Sequence, residues 1–277
     1  MEKKISLVRA GKLKSVRAVA LGIERKNIYR SSKLATKDEA LAEKIKAVHK
    51  TDPAYGHRRI AWELGINPKR SLRVMSKFGI KPPRRKAKKH WCTKSTNKHS
   101  YTNLIKEITP QSPHHIWASD VSYIKFQGRF WYLSTIEDLA TRQIMAAQVG
   151  KQHDAKLVTT TINQALKTGV KPTYFHTDQG TEFMARENTS LLETNGIQIS
   201  VSNLASPWEN GYKESFFGRF KDEFGDFNRF DHIGELIEEI YSKVHYYNHR
   251  RRHTAFKVAP AVYAQQLSDN GHHKRGA

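Results

Sequence analysis

An α/β domain on a mixed five-stranded sheet, preceded by a basic all-α region, is the fold class that this 277-residue sequence predicts. Three observations carry that expectation. Residues 1–100 hold 28 Lys and Arg against 7 Asp and Glu, whereas the remainder holds 20 against 19. Helical periodicity fills the first third and gives way near residue 104 to strand-like runs. From there the elements read strand, strand, strand, helix, strand, helix, strand, helix, an order that layers helices on a sheet.

The charge points to a partner class first. A formal net charge of +22, nearly all of it in one third of the chain, suits a polyanion, with nucleic acid ahead of acidic membrane. No apolar run approaches the roughly 18 residues of a spanning helix, and the N-terminus lacks a signal-peptide core, so no membrane partner is expected. The single cysteine, Cys92, excludes an internal disulfide and any intramolecular zinc site needing two cysteines. It fits a reducing cytosol.

The elements follow in order. Residues 1–35 form an N-terminal helix-turn-helix-like region: residues 15–23 read as a short apolar helix stopped by Gly22, and residues 24–30 open a basic helix. A plain helical hairpin fits that pattern equally. Residues 36–80 read as a second such unit, with a charged helix to residue 50, a turn at Asp52-Pro53, and helical runs either side of the break at Asn67-Pro68. Leu72, Met75 and Phe78 are expected to be its buried stripe, leaving Arg70, Arg73 and Lys77 on other faces. A small bundle with a solvated basic face is the alternative. Residues 81–103 form a basic linker stiffened by Pro82-Pro83, whose repelling charges cannot build a core.

The core spans residues 104–230. Strands are expected at 117–126, 130–136 and 144–149, the first two joined by a turn at Gly128, giving an antiparallel meander. A helix at 154–167 buries Leu157, Val158, Ile162 and Leu166. A fourth strand at 173–176, a helical stretch at 182–195 closed by Gly196, a fifth strand at 197–201 and a long helix at 210–224 complete it. On that last helix Tyr212, Phe216, Phe217, Phe220 and Phe224 share one broad face. Residues 231–277 supply an amphipathic helix at 231–249 and a basic tail.

Three acids stand out against this scaffold. Asp120 interrupts an apolar and aromatic strand, where a carboxylate is costly unless paired or metal-bound. Asp178 follows the fourth strand and precedes Gln179-Gly180-Thr181. Taken alone it reads as a turn or helix cap. Glu214 lies near the start of the long helix, in register with Asn210 and Lys221 along one edge. If the first and fourth strands are neighbours, the aspartates meet, and a helix packed at that edge brings the glutamate. Converging carboxylates hold hard divalent cations, and two such ions can activate an oxygen nucleophile and stabilise a leaving oxygen. Glu137 and Asp138 end a strand before a turn, Glu182 reads as helix N-terminal, and Asp222 and Glu223 continue a charged helix side.

The order Asp, Asp, 35 intervening residues, Glu resembles the core shared by DDE transposases and retroviral integrases. The chain most resembles the OrfB-type transposases of insertion-sequence family three. The resemblance rests on residues 117–123 (Trp-Ala-Ser-Asp-Val-Ser-Tyr), 176–183 (His-Thr-Asp-Gln-Gly-Thr-Glu-Phe) and 213–223 around Glu214. It extends to residues 247–254 with Pro260 and Tyr263, to 55–60, and to 73–75. It covers residues 12 to 265. Where the family usually has Asp-Asn-Ala before the glutamate helix, this chain has Glu209-Asn210-Gly211.

That resemblance implies a ribonuclease H-like core binding two Mg2+ ions, which Mn2+ can replace, on Asp120, Asp178 and Glu214, with Lys221 on the element end. It implies cleavage at insertion-element ends and strand transfer by attack of a 3′-hydroxyl on a phosphodiester. The partners implied are double-stranded DNA at element ends and target, further copies of the chain on that DNA, and a separately encoded or frameshift-fused OrfA protein. Expected DNA contacts are Lys26, Arg30, Arg58, Arg59, Lys69, Arg70, Arg73, Lys77, Arg84, Arg85, Lys86, Lys88 and Lys89 in the basic region. In the remainder they are Lys213, Arg219, Lys221, Arg250, Arg251 and Arg252. The competing readings are a hydrolytic nuclease of the same fold, which cuts without joining, and a domesticated DNA-binding regulator, which does neither.

Overall fold

The computed structural model describes residues 2–10, 14–24, 33–83, 101–202 and 211–273. The chain divides into two compact units, Met1–Pro83 and Arg84–Ala277, and each is described by itself. Among the described residues no helix is long and apolar enough to cross a membrane.

Among its described residues the first unit is built of helices: α1 (Glu2–Arg9), α2 (Lys14–Ala20), α3 (Lys33–Thr51), α4 (His57–Glu63) and α5 (Pro68–Lys77). Asn67 starts α5 by accepting the Lys69 N–H at 2.8 Å, and Pro68 occupies the first turn, where its missing N–H costs nothing. The basic stretch expected at 24–30 falls largely outside the described residues. Leu41, Ala42, Ile45, Tyr55, Ile60, Val74 and Met75 form the core of α3, α4 and α5. The buried row on α5 is Ser71, Val74 and Met75, whereas Leu72 is 51% exposed and Phe78 36%. The three-residue steps of the expected stripe drift around a 3.6-residue helix, and positions i, i+3 and i+4 stay together.

Two of the expected DNA contacts hold this unit together. Arg73 forks onto the buried Asp38 with two bonds of 2.6 Å, and Lys77 reaches the same carboxylate at 3.3 Å. The Arg73 hydrogen bonds, with Lys77 adding to them, hold the Asp38 carboxyl below its ordinary value against the opposing cost of burial. The pairing therefore stabilises the fold above the ordinary carboxylate pKa of 3.8, and that contribution disappears as pH falls through the depressed value. Asp38→Asn should lower the neutral-pH melting temperature and flatten its fall in acid. An acid slope equal to that of the wild type would place the titration elsewhere.

The second unit carries the sheet. Its strands are β1 (Ile116–Phe126), β2 (Arg129–Asp138), β3 (Ile144–Gly150), β4 (Tyr174–Thr177) and β5 (Gln198–Val201), in the order β3-β2-β1-β4-β5. β1–β2 and β2–β3 are antiparallel, and β1–β4 and β4–β5 are parallel. Gln127 (φ 46°) and Gly128 (φ 78°) close the β1–β2 hairpin, both in the left-handed region that a tight right-twisted turn needs.

Side-chain alternation along β1 splits the core into two layers. Trp117 joins Ile136 and Phe175 under α6 (Ala155–Leu166) and α7 (Arg186–Thr194). Ile124 and Phe126 join Leu133 on the other face, under α8 (Gly211–Phe224) and α9 (Ile233–His249). On α8 the buried residues are Phe216, Phe217, Phe220 and Phe224, and the side chain of Tyr212 lies outside the described residues. α10 (Pro260–His273) closes the described chain.

Two polar contacts lock α9 in place. Asn248 accepts from the Ile144 N–H at 2.9 Å and donates to the Ile144 carbonyl at 2.8 Å, both on β3. Just past the helix, Arg251 is 2% exposed and its Nε donates to Glu223 of α8 at 2.7 Å. Its guanidinium carbon lies 5.5 Å from the centre of the buried Tyr247 ring.

Candidate active site

Asp120 and Asp178 come together through strand order. Ala118 pairs with His176 in the parallel β1–β4 ladder. Continued by two residues, that register sets Asp120 level with Asp178, the first residue past β4. Asp120 lies on the β1 face of Ile124 and Phe126, the face that α8 covers.

Contacts at its C-terminal end hold α8 against β1. Lys221 Nζ donates to the Tyr123 carbonyl at 2.6 Å, and the Gln127 N–H donates to Asn228 Oδ1 at 2.7 Å. Asn228 lies just past α8 and Gln127 just past β1, so the C-terminal ends of the two elements lie together. Position 214 lies seven residues, about 10.5 Å of helix, before Lys221. The side chains of Glu214 and Lys213 lie outside the described residues. Among the described residues, no three His, Cys, Asp or Glu side chains are gathered closely enough to hold a metal ion.

Burial pushes the Asp178 carboxyl above the usual carboxylate range, and Glu182 adds to that. The Gly180 N–H, which Oδ1 accepts at 3.0 Å, and His153 oppose it. Asp120 Oδ1 accepts the Val121 N–H at 2.8 Å. Hard oxygen donors level on two rigid strands, one in a desolvated setting that disfavours its own charge, fit a divalent cation.

Three neighbours carry no signal in the linear sequence strong enough to single them out. His153 Nε2 lies 2.8 Å from Glu182 Oε1, and its ring stacks on Tyr132 at 5.2 Å and 7°. Tyr123 meets His153, Tyr132 and Phe130 edge-on. Burial, then Tyr132, Glu182 and Asp178, push the Tyr123 phenol up. Glu182 therefore belongs to a turn that folds back on His153, ahead of α7, instead of opening that helix. The one available clue was the Gln127-Gly128 turn, which makes Tyr123 and Tyr132 cross-strand partners.

The expected DNA contacts divide on burial. Arg58, Lys69, Arg70 and Arg250 are exposed, and Arg219, Lys221 and Arg252 are partly buried. Arg59 packs 5.5 Å over the Tyr55 ring. Arg73 and Lys77 are engaged by Asp38. Arg251 is a correction: burial and its Glu223 partner remove it from the surface that DNA can reach. Lys26, Arg30, Arg84, Arg85, Lys86, Lys88 and Lys89 lie outside the described residues.

Comparison with known proteins adds to this geometry. Integrase core domain families match residues 110–207 and 195–260. A transposase for insertion sequence element IS904 from Lactococcus lactis is 33% identical over 236 residues, covering 81% of this chain and 93% of the relative. A transposase-like protein of Haemophilus influenzae is 32% identical over 205 residues, covering 73% and 94%. A chain in the structure of the simian T-cell lymphotropic virus intasome with PP2A regulatory subunit B56 gamma shares 15% identity at a TM-score of 0.51, covering 82% of this chain and 73% of that one. That last likeness is one of fold.

Proposed function

Because this chain is a DNA transposase of the DDE transposase and integrase-core superfamily, we propose that Asp120, Asp178 and Glu214 are its catalytic metal ligands. What supports this reading is the position of Asp120 on β1 and of Asp178 just past its parallel neighbour β4, with α8 held to β1 by Lys221, two turns after position 214, on the Tyr123 carbonyl. The desolvated Asp178 carboxyl is where cationic charge is wanted.

We assign the acids to two Mg2+ ions, with Mn2+ as a substitute. Bound there, divalent cations supply Lewis acidity to the scissile phosphate and acidify a water nucleophile. The chain's own residues hold the geometry. Asp120 sits on β1 and Asp178 just past β4, and α8, packed on β1 by its phenylalanines, carries position 214. Lys221, two turns on, offers its ammonium to a phosphate. Water attack forms one P–O bond and breaks another, leaving a 3′-hydroxyl. That hydroxyl then attacks a second phosphodiester and displaces its 3′-oxygen. The first step consumes water and turns a phosphodiester into a 5′-phosphate and a 3′-hydroxyl, and the second exchanges one ester bond for another, so no protein–DNA bond is needed.

The DNA is double-stranded, at element ends and target. Joining two ends calls for at least two copies of the chain on DNA, and an OrfA-type protein is a further proposed partner within insertion-sequence family three. The setting is the bacterial nucleoid.

Metal binding has a readout independent of activity. Mg2+ should raise the melting temperature of the wild type, because a ligand held only by the folded state stabilises it. Asp178→Asn, which removes a partly buried charge, should leave the metal-free melt unchanged or raised and abolish the Mg2+ shift. An Mg2+ shift of wild-type size in Asp178→Asn would take this residue out of the ligand set.

A further inference from the structure

Beside the proposed carboxylates lies a cluster of rings that their chemistry does not use. Tyr123 and Phe130 are 50% and 56% exposed. Their centroids are 6.2 Å apart at 81°, and Tyr123 meets Tyr132 at 5.3 Å and His153 at 5.7 Å. The stacked Tyr132–His153 pair braces this surface from below, and Glu182 holds His153 at 2.8 Å. Exposed rings on a rigid, braced strand pair mark a binding surface.

Which ligand fits follows from what surrounds the rings. Tyr123 lies across the strand from Asp120 and reaches the Asp178 side through its neighbours: its ring meets His153, His153 Nε2 lies 2.8 Å from Glu182, and the Glu182 carboxylate folds against Gly180, whose N–H donates to Asp178. The surface is thus continuous with the place where DNA must be cut. Lys125, the cross-strand partner of Phe130, shares its face of the hairpin, and Lys221 Nζ sits on the Tyr123 carbonyl. Cations for phosphates thus flank an uncharged aromatic surface. The uncharged, flat part of DNA is the base, and aromatic side chains stack on bases without regard to sequence. A base inside a duplex cannot reach such a surface. One that is unpaired beside a strand end can.

We propose that Tyr123 and Phe130 form a platform on which an unpaired nucleobase of the reacting DNA strand stacks, next to the scissile phosphate. This rests on the reading of Asp120, Asp178 and Glu214 as the catalytic acids. The platform would hold the strand end in a single orientation while its 3′-oxygen is released or attacks.

The test uses the full chain with Ca2+ in place of Mg2+, and a short duplex bearing a dinucleotide 3′ overhang with 2-aminopurine at its end. Stacking on the platform should quench the 2-aminopurine fluorescence in the wild type. Tyr123→Ala and Phe130→Ala should each lose that quenching and bind the overhang DNA about fivefold or more weakly by anisotropy. Both should bind the blunt duplex to within about twofold of wild type. Tyr123→Phe and Phe130→Tyr should retain quenching. Both positions are half exposed, and a circular dichroism melt confirms that each variant folds.

Quenching that persists in both alanine variants would overturn the platform, as would an equal loss of affinity for the blunt duplex. Retained quenching with loss of DNA-free self-association on sedimentation would give the patch to a second copy of the chain and overturn it likewise. The two readings fail separately. An Asp178→Ala protein that still cuts DNA removes the acid assignment, while quenching lost only in the ring variants still stands for the platform.

Discussion

Asp178→Ala should reduce strand cleavage and strand transfer by about a thousandfold or more, the consequence of losing several kcal/mol of metal-derived charge stabilisation at about 1.4 kcal/mol per factor of ten. DNA affinity should change little, because the charge excess lies in the first third of the chain. The measurement is joining of a cleaved element end to target DNA in Mg2+, with binding followed in parallel. Asp120→Ala and Glu214→Ala should behave alike, since none of the three can hold the site alone. Product from Asp178→Ala at the wild-type level would end the assignment. Loss of binding together with activity would point to a folding defect, which a melt resolves.

Arg251→Met should lower stability by about 3 kcal/mol, the lower end of what breaking a buried ion pair costs. The lower end applies because the Glu223 side chain keeps 22% of its surface in water. For a unit of this size the melting temperature should fall by about 6–12 °C. Arg251→Lys keeps the charge but cannot reproduce the two-pronged contact with Glu223, so it should recover only part of the loss. Calorimetry checks both, and a melt identical to wild type would show that the pair contributes nothing. The position bears on the proposed site because Glu223 belongs to α8, the helix that carries the proposed ligand Glu214.

These residues also show what a linear sequence can and cannot disclose. The strands and their connections were legible because period-two alternation and a Gln-Gly turn are local properties. The neighbouring placement of β1 and β4 was legible less directly, because two isolated acids made sense only if their strands met. Arg251 was not legible. In a run of three arginines nothing local says which turns inward. That depends on where α9 ends, with Arg250 and Arg251 both donating their N–H groups to the Tyr246 carbonyl at 2.9 Å. His153 was hidden for a similar reason. Its partner, Glu182, is nearly thirty residues away in sequence, and neither has a periodicity that points to the other. On α5 the failure was one of arithmetic: a three-residue step looks helical over a short window and is off the buried row within two turns.

The bond pair between Asn248 and Ile144 has a consequence for how the protein behaves at high concentration. β3 is an edge of the sheet, and an open edge invites another chain to add a strand, the first step toward fibrous aggregates. A carboxamide presents one acceptor and one donor, the same pair that a peptide group of an incoming strand would offer. By occupying both backbone groups of Ile144, Asn248 acts as a one-residue false strand that blocks the edge at its start, beneath the turn of α9 that supplies it.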